Sequence, residues 1–276
     1  MSAIYPIYIN YPIVPKPRFG GVLPRHEALY ELINAGRRQY EQHLTAWSAD
    51  HADKLASIAW EQDHFLPGEP AWDNPWFSSL DAISLYGIVA TSKPKRYFEI
   101  GSGFSTKFAR RAATDAGYGL EVVSVDPLPR DEIDELCDRV VRQPLENADL
   151  RLFDELEAGD ILFVDSSHYV FQNSDANIVF LEVMPKLRAG VLVHFHDIFL
   201  PEDYPASWSA RFYNEQYMLA ATLLGQQSAY EIVFPAYFIS QDVALAQLAQ
   251  PLVDRIGSKA AQSLQPSGGS FWIRKK

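Results

Sequence analysis

Two groups of residues in this sequence have the types and spacing to do chemistry. The first is Phe98-Glu99-Ile100-Gly101-Ser102-Gly103-Phe104-Ser105-Thr106. An apolar, strand-like run enters a glycine turn, and a helix is expected to start near Ser105. Such a turn lets backbone approach a ligand held at a helix N-terminus. Asp126 ends the next apolar run about twenty residues on, where a carboxylate can accept hydrogen bonds from both hydroxyls of a ribose. The pair implies a ligand containing adenosine. A dinucleotide fingerprint asks for a third glycine at the position of Thr106, and its absence counts against NAD. The plainer role for Asp126 is a helix N-cap.

The second group is His168, His194, His196 and Asp197, placed at the ends of two later apolar runs. Histidine is the natural general base near neutral pH when a ring nitrogen lies within hydrogen-bonding reach of the reacting group. His168 and His196 are the candidates, with Asp197 beside them. Alternation along an extended strand puts His194 and His196 on one face. For each histidine the alternative is a partly buried ring bonded to a neighbouring loop.

The elements that must position these residues follow from the rest of the pattern. Short runs rich in β-branched and aromatic residues alternate with helix-length segments, as in parallel strands joined by crossover helices. Strands are expected at 96–100, 121–126, 139–143, 161–165 and 191–196. Runs at 230–234 and 270–274 complete a seven-stranded sheet, the last one antiparallel after Gly268-Gly269. The fold class is therefore α/β, a Rossmann-like doubly wound seven-stranded sheet with an N-terminal helical cap or arm. Ligands bind beyond the carboxyl ends of such strands, where both groups fall. Ahead of the sheet lie a Pro-rich and Tyr-rich arm (Pro6, Pro12, Pro15, Pro17) and a stretch with room for two helices between Arg25 and Trp60. A linker follows at Pro67 to Pro75. The division expected is an arm and cap over 1–79 and the sheet domain over 80–276.

Glu-x-Gly-x-Gly after the first strand, with an acid after the second, resembles the class I S-adenosylmethionine-dependent methyltransferases. Val164-Asp165-Ser166-Ser167-His168 and His194-Phe195-His196-Asp197 look like a bacterial subfamily of small-molecule methyltransferases. Gly269-Ser270-Phe271-Trp272-Ile273 is similar to its closing strand, and Asp73-Asn74-Pro75-Trp76-Phe77-Ser78-Ser79 to its entry segment. The resemblance covers roughly residues 74 to 276. It implies S-adenosylmethionine as cofactor, with Glu99, Gly101, Ser102 and Gly103 lining the methionine part, Asp126 the ribose, and Leu145 and Glu146 the adenine. Asp165 would sit beside the sulfonium. Trp76 and Phe77 would help to close this pocket.

Methyl transfer from a sulfonium needs a nucleophile held in line, and a base helps when the acceptor is a hydroxyl. Asp165, His196 and Asp197 are also a candidate metal set, for a divalent cation that holds and acidifies that hydroxyl. Catechol-type methyltransferases are similar, with an acid and then an acid-amide pair; here the pair is His-Asp. Oxygen ligands suit magnesium, and imidazole moves the preference toward manganese, iron or zinc. In the loop that follows, Tyr204, Trp208 and Glu215 are candidate substrate contacts, while Phe212 and Tyr217 are expected to pack the next helix onto the sheet.

Composition narrows the partners. The chain has 276 residues, a net charge of -11 and one cysteine, Cys137. Excess negative charge opposes binding to a phosphate backbone, so no nucleic acid is expected. No apolar run approaches the ~20 residues of a membrane span, and no signal segment opens the chain, so a cytoplasmic location is the plain reading. A small-molecule acceptor is the default partner, and exchange of the arm would make a homodimer. An NAD(P)-dependent oxidoreductase is the enzymatic alternative, and a non-catalytic adenosyl-ligand-binding protein the other. A serine hydrolase is excluded, because neither Ser166 nor Ser167 sits in a Gly-x-Ser-x-Gly elbow.

Overall fold

The computed structural model describes residues 10–62, 66–259 and 264–276. Its centre is β1 (Arg96–Ile100), paired in parallel with β2 (Glu121–Val125), which carries β3 (Arg139–Val141) on its far side. On the other flank β1 pairs in parallel with β4 (Ile161–Val164), and β4 with β5 (Leu192–Phe195). Tyr230–Pro235 forms β6, and Phe271–Lys275 forms β7, which runs antiparallel to both β5 and β6. The order is β3-β2-β1-β4-β5-β7-β6, the seven-stranded sheet expected, with its last strand reversed. Strand order changes direction between β1 and β4, which opens a crevice at their carboxyl ends. β2, β4 and β5 each stop one residue before the expected end. Asp126, Asp165 and His196 therefore stand just beyond the strands at the edge of the crevice, each still anchored by its N–H to the end of a neighbouring strand, at Val141, Ile100 and Val164.

The central strands are apolar on both faces because helices cover both. The helices are α1 (Glu27–Asn34), α2 (Arg37–Ser57), α3 (Ser79–Ser92), α4 (Phe104–Asp115), α5 (Asp175–Ile178), α6 (Glu215–Gly225), α7 (Ala236–Gln241) and α8 (Val243–Ile256). The two helices expected between Arg25 and Trp60 are α1 and α2. From Ser79 to Ala90, α3 is buried on every side, as a helix apolar all round must be. α2 packs on α8 and α3. Its Trp47 reaches α3 at Gly87, where a β-carbon would come within 2.4 Å of the indole, and lies 5.0 Å from Phe234 of β6. The N-terminal helices thus share one hydrophobic core with the sheet.

Two details differ from the sequence pattern. Between β2 and β4 there are only 3-10 turns, at Asp134–Leu136, Leu145–Asn147 and Leu150–Glu155, where crossover helices are expected. Pro127, Pro129 and Pro144 withhold backbone donors in this stretch. Phe212 and Tyr217 do not pack inward but are 45% and 47% exposed. Of the arm, Pro12, Pro15 and Pro17 lie in irregular chain, and Pro6 lies outside the described residues. No helix among the described residues is long and apolar enough to cross a membrane.

Candidate active site

Glycine sets the first feature of the site. Gly101 has φ +81°, and a β-carbon there would lie 2.0 Å from the carbonyl oxygen of Asp165. The tips of β1 and β4 can come together only because this residue has no side chain. The turn is then tied to β2. Ser102 donates its N–H to Asp126 Oδ2 at 2.8 Å, and its hydroxyl meets that of Ser124 at 2.7 Å. Asp126 Oδ1 accepts the N–H of Leu128 at 2.8 Å, so the carboxylate joins two loops and caps no helix.

Above these residues lies a cleft of about 700 Å³. Gly101, Ser102, Asp126, Leu145, Glu146 and Asp165 all line it. Leu145 is buried in its wall and Glu146 stands exposed at the rim. Gly103 borders a small adjoining hollow with Trp76 and Phe77. Glu99 is placed differently from what the resemblance implies, being fully buried beneath the turn. It accepts the hydroxyl of Thr106 at 2.6 Å and that of Ser105 at 3.4 Å. Burial pushes its carboxyl up to about 7 against these donors. Thr106, at the position of the fingerprint's third glycine, is thus a hydrogen-bond partner of Glu99.

A second cavity of about 420 Å³ opens beyond β4 and β5, bounded by Trp76, Phe77, Trp208, Tyr213 and Tyr237. Asp165, His168, His196 and Asp197 form its floor. Asp165 and Arg130 line both spaces. The floor is a buried ionic network. His168 Nε2 lies 3.4 Å from Asp165 Oδ1 and 3.4 Å from Asp197 Oδ2. His196 Nδ1 lies 3.6 Å from Asp165 Oδ1 and 3.5 Å from Asp197 Oδ1. Each ring has a further carboxylate behind it. Nδ1 of His168 meets Glu215 Oε2 at 2.8 Å, and Nε2 of His196 is 3.5 Å from Asp81 Oδ2.

Burial disfavours both imidazolium forms, yet the carboxylates outweigh it. Asp165 and Glu215 hold His168 well above the usual histidine range, and Asp197 and Asp165 do the same for His196. Burial likewise opposes the charge on Asp165, and the two imidazoles overcome it, keeping that carboxyl well below its ordinary value. His168 and Asp197 both adopt left-handed backbone, at φ 64° and 57°. For residues with a β-carbon this conformation is uncommon and concentrates at functional positions.

His194 belongs to the core instead. Its ring stacks on Phe163 at 3.8 Å, its Nε2 meets Ser270 Oγ at 2.7 Å, and burial drives its pKa well below normal. Strand alternation does put it on the face of His196, but one layer deeper.

Residues 98–198 match the protein family described as a methyltransferase domain. The match runs from β1 to just past β5, taking in Gly101, Asp126, Asp165, His168, His196 and Asp197. The matched segment is 101 of the 276 residues. No curated protein matches it. Among solved structures it is similar to the SAH-bound methyltransferase PaMTH1 of Podospora anserina, at 16% identity over 94% of this chain and 100% of that one, with a TM-score of 0.42. An O-methyltransferase of Bacillus cereus in complex with SAH gives 14% identity over 91% and 99%, with a TM-score of 0.38. Likenesses this distant carry no functional argument.

Several parts of the site come from outside the matched segment. Glu215 opens α6 and is fully buried. It supports His168 from behind and accepts the Ser166 hydroxyl at 3.0 Å, so it does not contact substrate as expected. Tyr204 is also buried away from the cavity, its hydroxyl accepting the Gln216 N–H at 3.2 Å, whereas Trp208 lines the cavity. Asp81 of α3 was not suspected from sequence. It completes a capping box with Ser78 and accepts the N–H groups of Gly269 and Ser270 at 2.8 and 2.7 Å. The only sequence signal was the Ser-x-x-Asp spacing.

The metal expectation for Asp165, His196 and Asp197 is not supported. Among the described residues no group of three or more histidine, cysteine and acidic side chains is arranged to hold a metal ion. The oxygens of Asp165 and Asp197 face the rings of His168 and His196 instead.

Proposed function

We propose that this chain transfers the methyl group of S-adenosylmethionine to a hydroxyl oxygen of a small acceptor. The observation that carries this reading is the shared wall: Asp165 lines both the cleft over β1 and β2 and the cavity over β5. A donor in the first space and an acceptor in the second would meet at one carboxylate. Bound S-adenosylmethionine would supply an electrophilic methyl group on a sulfonium.

The residues of the chain then have distinct tasks. Asp126 accepts the ribose hydroxyls through lone pairs left beside its two backbone donors, and Leu145 and Glu146 border the adenine. Asp165, kept ionised by its imidazoles, favours positive charge at the junction. His168 is the base. Glu215 accepts the Nδ1 proton and fixes the ring, leaving Nε2 directed at the cavity floor, the logic of a carboxylate-oriented imidazole. Positive charge brought next to Asp165 offsets the field that keeps His168 protonated and frees Nε2 to accept a proton. Nε2 of His168 would take the hydroxyl proton as the acceptor oxygen gains the methyl group, and the bound donor would leave as the neutral thioether. His196, with Asp197, sets the charge of the floor.

The test is incubation of the protein with methyl-labelled S-adenosylmethionine and a panel of phenols, sugars and amines. Label recovered as methyl ether, and lost in His168→Ala, is the expected outcome. Label recovered only on nitrogen or carbon, or no transfer to any acceptor, would overturn the reading.

A further inference from the structure

The acceptor cavity has an acidic floor and a basic rim. Arg130 and Arg211 both line it, and neither has an ion pair among the described residues. Arginines elsewhere in the domain behave differently: Arg96, Arg110, Arg111, Arg139 and Arg142 all pair with carboxylates. In a chain with a net charge of -11, two unneutralised guanidinium groups at one cavity stand out. Each is stacked on an aromatic ring. The Arg130 guanidinium lies 4.6 Å from the Trp76 ring centre, and that of Arg211 lies 3.8 Å from Trp208 and 5.6 Å from Tyr213. Stacking uses the face of a guanidinium and leaves its N–H edge free for the planar, two-pronged pairing that carboxylates accept.

The two differ in position. Arg130 also borders the cleft, so either ligand could use it. Arg211 borders the acceptor cavity alone, on the 3-10 turn Ala206–Arg211. Its carbonyl accepts the Tyr169 hydroxyl at 2.9 Å, which ties that turn to the loop after β4. Phe77, Trp208, Tyr213 and Tyr237 supply flat apolar walls between this rim and the floor.

We infer that Arg211 selects the acceptor, and that the acceptor is a planar hydroxy acid, with its hydroxyl on the floor beside His168 and its carboxylate on the Arg211 edge. This rests on the methyl-transfer reading above. It goes beyond it by naming the chemical class and the residue that chooses it.

The test is binding rather than turnover. Protein saturated with S-adenosylhomocysteine is titrated with para-hydroxybenzoate, para-hydroxycinnamate and dihydroxybenzoate, each against its methyl ester. At least one acid is expected to bind roughly tenfold tighter than its ester, with the difference shrinking at high salt. Arg211→Gln should erase the preference without altering affinity for S-adenosylhomocysteine, and Arg211→Lys should restore part of it. Equal binding of acids and esters, no binding by any acid, or a preference that survives Arg211→Gln would each overturn the inference. Failure to bind S-adenosylhomocysteine in the first step would instead strike the cofactor reading, so the two failures are told apart.

Discussion

His168 and Glu215 form the tightest contact beneath the cavity beyond β4 and β5, with Nδ1 2.8 Å from Oε2, and the carboxylate is wholly buried. A buried acid behind a ring whose other nitrogen faces a cavity fixes both the tautomer and the basicity of that ring. Glu215→Gln keeps the shape and removes the charge. Because Asp165 and Glu215 raise the His168 pKa, the variant ring should lose its proton at lower pH than the wild-type ring. Isotope-labelled histidine NMR reads this directly. Methyl transfer should fall about a hundredfold, with its rising limb moved to lower pH. An unmoved His168 titration would show that Glu215 has no hold on the ring.

Gly101 is the position where a single carbon should do the most damage. A β-carbon there meets the Asp165 carbonyl at 2.0 Å, on backbone with φ +81°. Gly101→Ala should cost roughly 3 kcal/mol or more, measured by chemical denaturation. A loss within about 0.5 kcal/mol, as at ordinary surface sites, would mean that β1 and β4 do not approach so closely.

Glu99 links pH to stability. Its carboxyl rises from 4.5 to about 7 on burial, so the folded state holds a proton that the unfolded chain releases. The stabilisation is complete below pH 4.5 and fades as pH climbs to about 7. Above that, the buried charge costs about 3 kcal/mol relative to the protonated state. Glu99→Gln keeps an acceptor for Thr106 without the charge. Its melting temperature should gain on wild type progressively across this window and stay level beyond it. Parallel curves for the two proteins at all pH values would refute the burial effect.

Much of this architecture was legible before any coordinates. Strands covered on both faces must be apolar runs, which made the central strands legible, and Gly101 and Asp126 announced the cleft by their place after β1 and β2. Partners distant in sequence could not be read. Glu215 reads as a substrate contact in the segment after β5, and only the fold brings it behind His168, 47 residues away. Asp81 reads as a capping residue, and its second role, toward His196 and the turn before β7, depends on chain far later in the sequence, in the case of Ser270 189 residues on. The resemblance implies Glu99 in the cleft, and nothing in the local pattern shows that the glycine turn leaves it fully buried. Arg130 and Arg211 gave no signal at all, since a guanidinium without a partner is recognised only once every neighbour is placed.

The most direct measurement is calorimetric titration of S-adenosylhomocysteine into wild-type protein and into Asp126→Ala, with NAD as the control ligand. Asp126 touches the cleft and the loop amides of Ser102 and Leu128, so its loss should weaken binding by roughly tenfold to a hundredfold. Saturable heat with the adenosyl ligand, none with NAD, and that loss in the variant are the results expected. No heat with S-adenosylhomocysteine, or equal affinity in both proteins, would contradict the assignment of the cleft.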